Sequence, residues 1–332
     1  MRAIQILKPH DFALVELPDP RAGLGEVVVK VGTCGVCGTD LHILAGEFPP
    51  APFPLVPGHE LAGTITEIGE GVSGFSVGDR VGVDPSLFCG TCEFCRKGRG
   101  NLCERWGAIG DTVNGGFAEL VKVPAANAYL IPESMSFAAA ALVEPVSCVV
   151  HALDRLDFEA GSPVLIYGAG AMGLILAQLL RHTGAGAVSL LDPNKKRQIQ
   201  AESFGFTSVG SHLNDLSSRP KGGYDRVIDA TGITSVVEEA LNAVRKGGTF
   251  MVFGVTPGGE KATYEPFRVY NEEITIVGSM AVLESYGRAV DLVAAGAVDA
   301  AKMVTNKLPL ENFGEALELV RGGVGIKTQI VP

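Results

Sequence analysis

Val164-Leu165-Ile166-Tyr167 runs straight into Gly168-Ala169-Gly170-Ala171-Met172-Gly173, and helical apolar spacing then continues to His182. A second apolar run, Val188-Ser189-Leu190-Leu191, ends on Asp192, 19 positions after Gly173. Few folds accept this order. A buried strand that ends in glycines, opens a helix and returns as a second strand is a βαβ unit, and its crossover makes the two strands parallel. The glycines let another group approach the backbone, and the first N–H groups of the helix attract an anion. A tight turn without a ligand would use the same glycines. The acid at this offset points instead to a dinucleotide, with Asp192 accepting from the ribose hydroxyls. A carboxylate there repels a 2′-phosphate, so NAD is expected over NADP, although Lys195, Lys196 and Arg197 follow closely.

The alternation continues with a helical pattern over 195–204 and strands over 226–229 and 249–253. Residues 151–285 therefore read as a doubly wound parallel sheet with helices on both faces. Before this segment the pattern is mostly β. Short β-branched runs at 14–17, 26–31, 61–68 and 80–83 are separated by glycine turns and by a proline-rich loop over 48–57. After it come helical patterns at 287–295 and 311–321 and a final strand at 328–331. Residues 269–277 read as β-prone, either as a buried strand or as a sheet edge.

Cys89, Cys92, Cys95 and Cys103 form C-x2-C-x2-C-x7-C. The meaning of this cluster depends on the redox setting. Residues 1–10 show no apolar leader, and the most apolar stretch, 138–150, is interrupted by Glu144 and Pro145, so no membrane span is expected. A reducing cytosol is the expected location, where clustered cysteines bind metal rather than form disulfides. Four thiolates at this spacing close a tetrahedron around Zn2+ and leave no position for substrate, so the ion would act as a structural staple. An iron–sulfur cluster is the competing reading, but the fourth cysteine lies seven residues on and no proline follows it. The net charge of −10 argues against a nucleic-acid partner.

A second candidate metal site comprises Cys37, His59, Glu60 and Glu144. A thiolate, an imidazole and a carboxylate make an open zinc site with room for a substrate. Taken singly, each has a plainer reading: Cys34 and Cys37 as a redox C-x-x-C, His59 as a loop histidine, Glu60 as surface charge. Glu144 lies in the apolar run Ala140-Ala141-Leu142-Val143-Glu144-Pro145-Val146, where an isolated carboxylate is costly to bury unless it is paired or metal-bound.

Seven pieces now stand in one order along the chain: Gly35-Val36-Cys37-Gly38-Thr39-Asp40-Leu41-His42, Gly58-His59-Glu60, Gly78-Asp79-Arg80-Val81, the four cysteines, Gly115-Gly116-Phe117-Ala118-Glu119, Glu144-Pro145, and the glycine loop at 168–173. Together they resemble the zinc-containing medium-chain dehydrogenases, and within them the sorbitol (polyol) and threonine dehydrogenase branch. The resemblance implies a GroES-like β-rich catalytic domain built from 1–150 and 286–332, with a Rossmann domain at 151–285. It implies two Zn2+ per chain, one catalytic and one structural, and hydride transfer from a small alcohol to NAD. By resemblance, Cys37 and His59 hold the catalytic ion, and Glu60 is a direct or exchangeable ligand. Glu144 would bind directly or through a water, and Asp40 would orient His59.

The resemblance also gives Thr39 and His42 the proton relay, and gives cofactor contacts to Met172, Arg197 and the residues around Val255. Phe48 and Trp106 would line the substrate pocket. It implies a homodimer or homotetramer, usually joined across the Rossmann sheet edge. A secondary alcohol of the sugar-alcohol class is expected. Ile43 stands where sorbitol enzymes carry an aromatic residue, and no arginine lies near Met280-Ala281-Val282. L-Threonine and small diols or secondary alcohols are therefore the alternative substrates. A zinc-free reductase of quinones or enones and a non-catalytic nucleotide sensor are the rival classes.

Overall fold

In the computed structural model, which describes every residue except Pro49 and Ser218, six strands form one parallel sheet. Pro49, in the proline-rich loop, thus lies outside the described residues. The sheet order is Ser208–Gly210, Ala187–Leu191, Pro163–Tyr167, Tyr224–Asp229, Val244–Val252, Thr275–Gly278. Val164 aligns with Val188 on one side and with Arg226 on the other. Leu165, Ile166, Val227 and Ile228 are fully buried. Strands covered on both faces need such unbroken apolar runs. The chain winds outward from Pro163–Tyr167 to one edge, then restarts at Tyr224–Asp229 toward the other. That reversal opens a crevice at the carboxyl ends of the two central strands.

The region read as β-prone at 269–277 is corrected. It begins inside a helix, Pro266–Asn271, and only Thr275–Gly278 is a strand. Pro266 sits at the first turn, where its missing N–H costs nothing. Arg268 then ties the helix down by donating to the carbonyls of Leu241 and Val244 and to Glu272. These tertiary bonds override the local β preference of Val269 and Tyr270. Thr275–Gly278 is the edge strand of the sheet.

A second, seven-stranded sheet is mostly antiparallel. Its spine is Glu26–Gly35, with Val27, Val29 and Val31 in the core beside Leu61, Ile65, Val81 and Phe117. At the end of this strand Gly35 pairs with Glu60 on one side and Gln329 on the other. That register brings the segment leading to Cys37, the pair His59-Glu60 and the final strand Lys327–Val331 to one place.

The chain divides into two compact units, Met1–Ser147 with Val282–Pro332, and Cys148–Ala281. Among the described residues, the stretch Phe137–Leu156 is long and apolar enough to cross a membrane by composition alone. In the fold 67% of it is buried, which makes it a core helix.

Candidate functional site

The ligand atoms of Cys37, His59 and Glu60 lie within 4.8 Å of one another. Cys37 directly precedes the helix Gly38–Ala45, so negative charge on its sulfur faces the positive end of that helix. Its backbone N–H donates to Asp40 Oδ2 at 2.8 Å. Burial pushes the Asp40 carboxyl up to about 7, against the opposing pull of His59 and the Cys37 N–H. His59 is buried, and its Nδ1 lies 3.0 Å from Asp111 Oδ1. Burial alone would lower the imidazole, but Asp111 and Cys37 outweigh it and hold His59 well above its ordinary value.

Asp40 bonds the Cys37 backbone through Oδ2 and keeps Oδ1 unpartnered, and neither His59 Nδ1 nor Asp111 Oδ1 makes a hydrogen bond within the protein.

Glu60 is also buried. Its Oε1 pairs with Lys327 Nζ at 2.5 Å, and its Oε2 has no partner within the protein. Gly35 makes room for this carboxylate, since a Cβ there would lie 2.0 Å from Glu60 Oε2. Burial opposes the charge on Lys327, but Glu60, Cys37 and Glu144 raise its pKa above the usual lysine range. A cysteine, a histidine and a carboxylate with a spare buried acceptor are a donor set that suits zinc.

Glu144, expected to bind directly or through a water, stands outside the three residues whose ligand atoms lie within 4.8 Å of one another. It stands in the first turn of the helix Val143–Leu156. There the helix N-terminus stabilises a carboxylate, so burial in an apolar run does not require a metal. It remains within electrostatic reach of Lys327.

Thr39 Oγ1 lies 3.6 Å from Cys37 Sγ. His42 is exposed and contacts Glu47 through Nδ1 at 2.8 Å. Phe48 and Trp106 meet edge to face, with centroids 6.5 Å apart, and the buried Trp106 indole N–H has no partner. Cys34 is fully buried, its thiol pushed up by burial, and no cysteine among the described residues is in a disulfide. A redox pair needs an accessible thiolate, so Cys34 is a core residue.

The four-cysteine lobe fits a single ion. Sulfur separations are 3.9 Å for Cys89–Cys95, 3.5 Å for Cys92–Cys95 and 3.9 Å for Cys92–Cys103. A tetrahedron with zinc–sulfur bonds of ~2.3 Å has edges of ~3.8 Å. Sulfurs this close leave no room for a multi-iron cage. Hydrogen bonds from the Thr91 backbone and hydroxyl and from the Cys92 backbone push Cys89 down to about 5, whereas burial and the adjoining thiols push Cys95 up to about 12. Four such thiols cannot all ionise without a cation among them. The lobe's helix, Glu93–Arg96, buries no residue.

In the second unit the glycines divide three tasks. Gly168 has φ +99°, which a side chain rarely tolerates, and a Cβ at Gly173 would lie 1.9 Å from the Gly168 carbonyl oxygen. Gly170 has open space where its Cβ would be, in front of the helix Ala171–His182. A pyrophosphate approaches the backbone at a turn of this kind. Asp192 is buried, accepting from the N–H groups of Ala169 and Asn194 at 2.9 Å each. A carboxylate accepts about four hydrogen bonds, so capacity for a ribose remains. Arg197 stands 3.4 Å from Asp192. Met172 is half-buried at the start of the helix. Val255 follows the strand Val244–Val252, is 86% exposed, and lies against Gly232 in the loop after Asp229.

Sequence reasoning missed Asp111 and Lys327. Gly110-Asp111-Thr112 reads as a turn, and the last strand was expected to begin at 328, one residue beyond the lysine. The available signal was a lone lysine abutting an otherwise uncharged strand.

Residues 23–133 match the alcohol dehydrogenase GroES-like domain, and residues 171–295 match the zinc-binding dehydrogenase family. D-arabinitol dehydrogenase 1 of Uromyces fabae is 40% identical over 100% of this chain and 97% of its own length. D-altritol 5-dehydrogenase of Agrobacterium fabrum is 36% identical, covering 94% of each chain. A zinc-binding dehydrogenase of Sinorhizobium meliloti 1021, solved with NADP bound, superposes with a TM-score of 0.94 at 33% identity, over 100% of this chain and 99% of that one.

Proposed function

This chain belongs to the zinc-binding alcohol dehydrogenase family, and we propose that it oxidises a secondary hydroxyl of a polyol to a ketone with NAD as acceptor. The observation that carries the reading is the cluster of half-buried Cys37 with buried His59 and Glu60, with its unspent Glu60 oxygen. Cys37, His59 and Glu60 would hold zinc beside a substrate hydroxyl. Bound there, zinc supplies Lewis-acid polarisation of that hydroxyl, and bound NAD supplies the hydride acceptor.

This chain's own groups do the rest. Thr39, beside the Cys37 sulfur, accepts the hydroxyl proton as it gives up its own, and His42 with Glu47 releases a proton to water. Glu60 balances the buried Lys327, and Glu144 adds negative charge nearby. Phe48 and Trp106 form the pocket wall, and the unpartnered indole N–H donates to a second substrate hydroxyl. Cys89, Cys92, Cys95 and Cys103 hold a second, structural zinc. Gly168, Gly170, Met172, Gly173, Arg197 and Val255 frame the dinucleotide. Asp192 favours NAD over NADP by repelling a 2′-phosphate. The polyol class is supported by the arabinitol and altritol relatives. Seven cysteines outside any disulfide fit a cytoplasmic location.

The test is a screen of zinc-loaded protein with NAD and NADP over pentitols, hexitols, small diols, simple secondary alcohols and L-threonine. The highest kcat/KM is expected for a pentitol or hexitol with NAD. Faster turnover of L-threonine or a diol would move the substrate to the alternative, and no turnover of any alcohol would sink the enzymatic reading.

A further inference from the structure

Around the four cysteines, residues 88–106 carry Arg96, Lys97, Arg99 and Arg105 against Glu93 and Glu104. Lys97 is paired with Glu93, and Arg96 and Arg99 are exposed. Arg105 is bonded into the sulfur cluster instead. Its backbone N–H donates to Cys103 Sγ at 3.3 Å, and its Nη2 donates to Thr91 Oγ1 at 2.9 Å. The Thr91 hydroxyl in turn donates to Cys89 Sγ at 3.6 Å. We propose that Arg105 is the counter-cation of the four-thiolate site, offsetting the charge the cysteines gather around their ion and so setting how firmly the lobe keeps it. This rests on the reading of Cys89, Cys92, Cys95 and Cys103 as a zinc site.

Four thiolates around one Zn2+ leave about two negative charges on the site. The lobe has little else with which to offset them. Its helix, Glu93–Arg96, buries no residue, so no apolar packing holds the sulfurs together. Peptide groups help two of them, since the Cys89 N–H donates to Cys103 Sγ and the Cys92 N–H to Cys89 Sγ, both at 3.3 Å. Arg105 acts on the same two sulfurs, on Cys103 through its backbone and on Cys89 through Thr91. Cys89 leads the groups that raise the pKa of this guanidinium, ahead of Cys103 and Cys92. Arginine suits the task, because its planar fork holds the threonine oxygen and its charge is permanent, whereas lysine would supply a flexible point charge.

A lobe without a core of its own is ordered by its ion, so whatever strengthens metal binding also strengthens the lobe. Losing an outer partner of a metal ligand typically weakens metal binding by about 10–100-fold. Arg105 is exposed, which puts its effect at the lower end of that range and makes it sensitive to salt. Arg105 is in this sense a positioning residue of the structural site.

The experiment compares intact, zinc-loaded wild type, Arg105→Gln, Arg105→Lys and Arg96→Gln by chelator competition, with ions counted per chain. Arg96→Gln removes the same charge from the same lobe without touching a bond to sulfur. In low salt Arg105→Gln is expected to hold one ion about tenfold more weakly, with Arg105→Lys between it and wild type and Arg96→Gln equal to wild type. The gap between wild type and Arg105→Gln should narrow in ~1 M salt, where charges are screened beyond ~3 Å; a merely space-filling side chain would leave it unchanged. Cobalt in place of zinc identifies the ion, because four thiolates give far stronger sulfur-to-metal absorption than one. That absorption should move to longer wavelength in Arg105→Gln, since sulfur electrons are held less tightly without a cation beside them. Arg105→Gln that keeps the four-thiolate ion within about threefold of wild type, or an equal loss in Arg96→Gln, would overturn the assignment. A wild type without four-thiolate cobalt absorption would sink the zinc reading of the lobe itself, whereas that absorption with an indifferent Arg105 would sink only this inference.

Discussion

Lys327 and Glu60 bury opposite charges 2.5 Å apart in a site where Glu60 keeps one oxygen unpartnered. Breaking a buried pair by removing one partner leaves an uncompensated charge and costs about 3–5 kcal/mol. Lys327→Met is therefore expected to lower the stability of metal-free protein by about that amount in denaturant unfolding. Added zinc should recover part of the loss, because a ligand that binds only the folded state stabilises it. An unchanged unfolding midpoint would contradict the pairing. At this scale the ligands were legible and their supports were not. Cys37, His59 and Glu60 carry chemistry in their residue types, so their spacing could be read. Asp111 and Lys327 matter only through where the fold puts them, and both sit at turn or strand boundaries that local pattern does not mark. Glu144 stands in the first turn of its helix, a source of stabilisation that the apolar sequence around it does not mark.

The strand-to-helix turn at 168–173 makes opposite predictions for two glycines three residues apart. Gly173→Ala forces a methyl group against the Gly168 carbonyl oxygen, so the helix Ala171–His182 must shift from its strand. A loss of about 1–3 kcal/mol of stability is expected, of the size that overpacking causes. Gly170→Ala meets nothing within 4 Å, so its melting temperature should match wild type. Its NAD affinity should still fall by about tenfold or more, equivalent to at least ~1.4 kcal/mol, because the methyl group occupies the pyrophosphate's space. Calorimetry and thermal melts separate the two, and a Gly170→Ala that binds NAD like wild type would place the cofactor elsewhere. Elements with a long, consistent period, such as Ala171–His182, were legible to the residue. The helix Pro266–Asn271 was not, because Val269 and Tyr270 favour a strand locally and only the long-range bonds of Arg268 make the segment helical.

At the scale of the whole molecule, Thr275–Gly278 stands at the edge of the six-stranded sheet, with Ile276, Phe267 and Tyr270 exposed. The central claim concerns the working ion, and NAD-linked polyol oxidation measured while a chelator strips zinc tests it most directly. Two ions per chain are expected, with turnover falling to background as the Cys37 site empties and returning when zinc is restored. Full turnover with only the four-cysteine ion bound would contradict it.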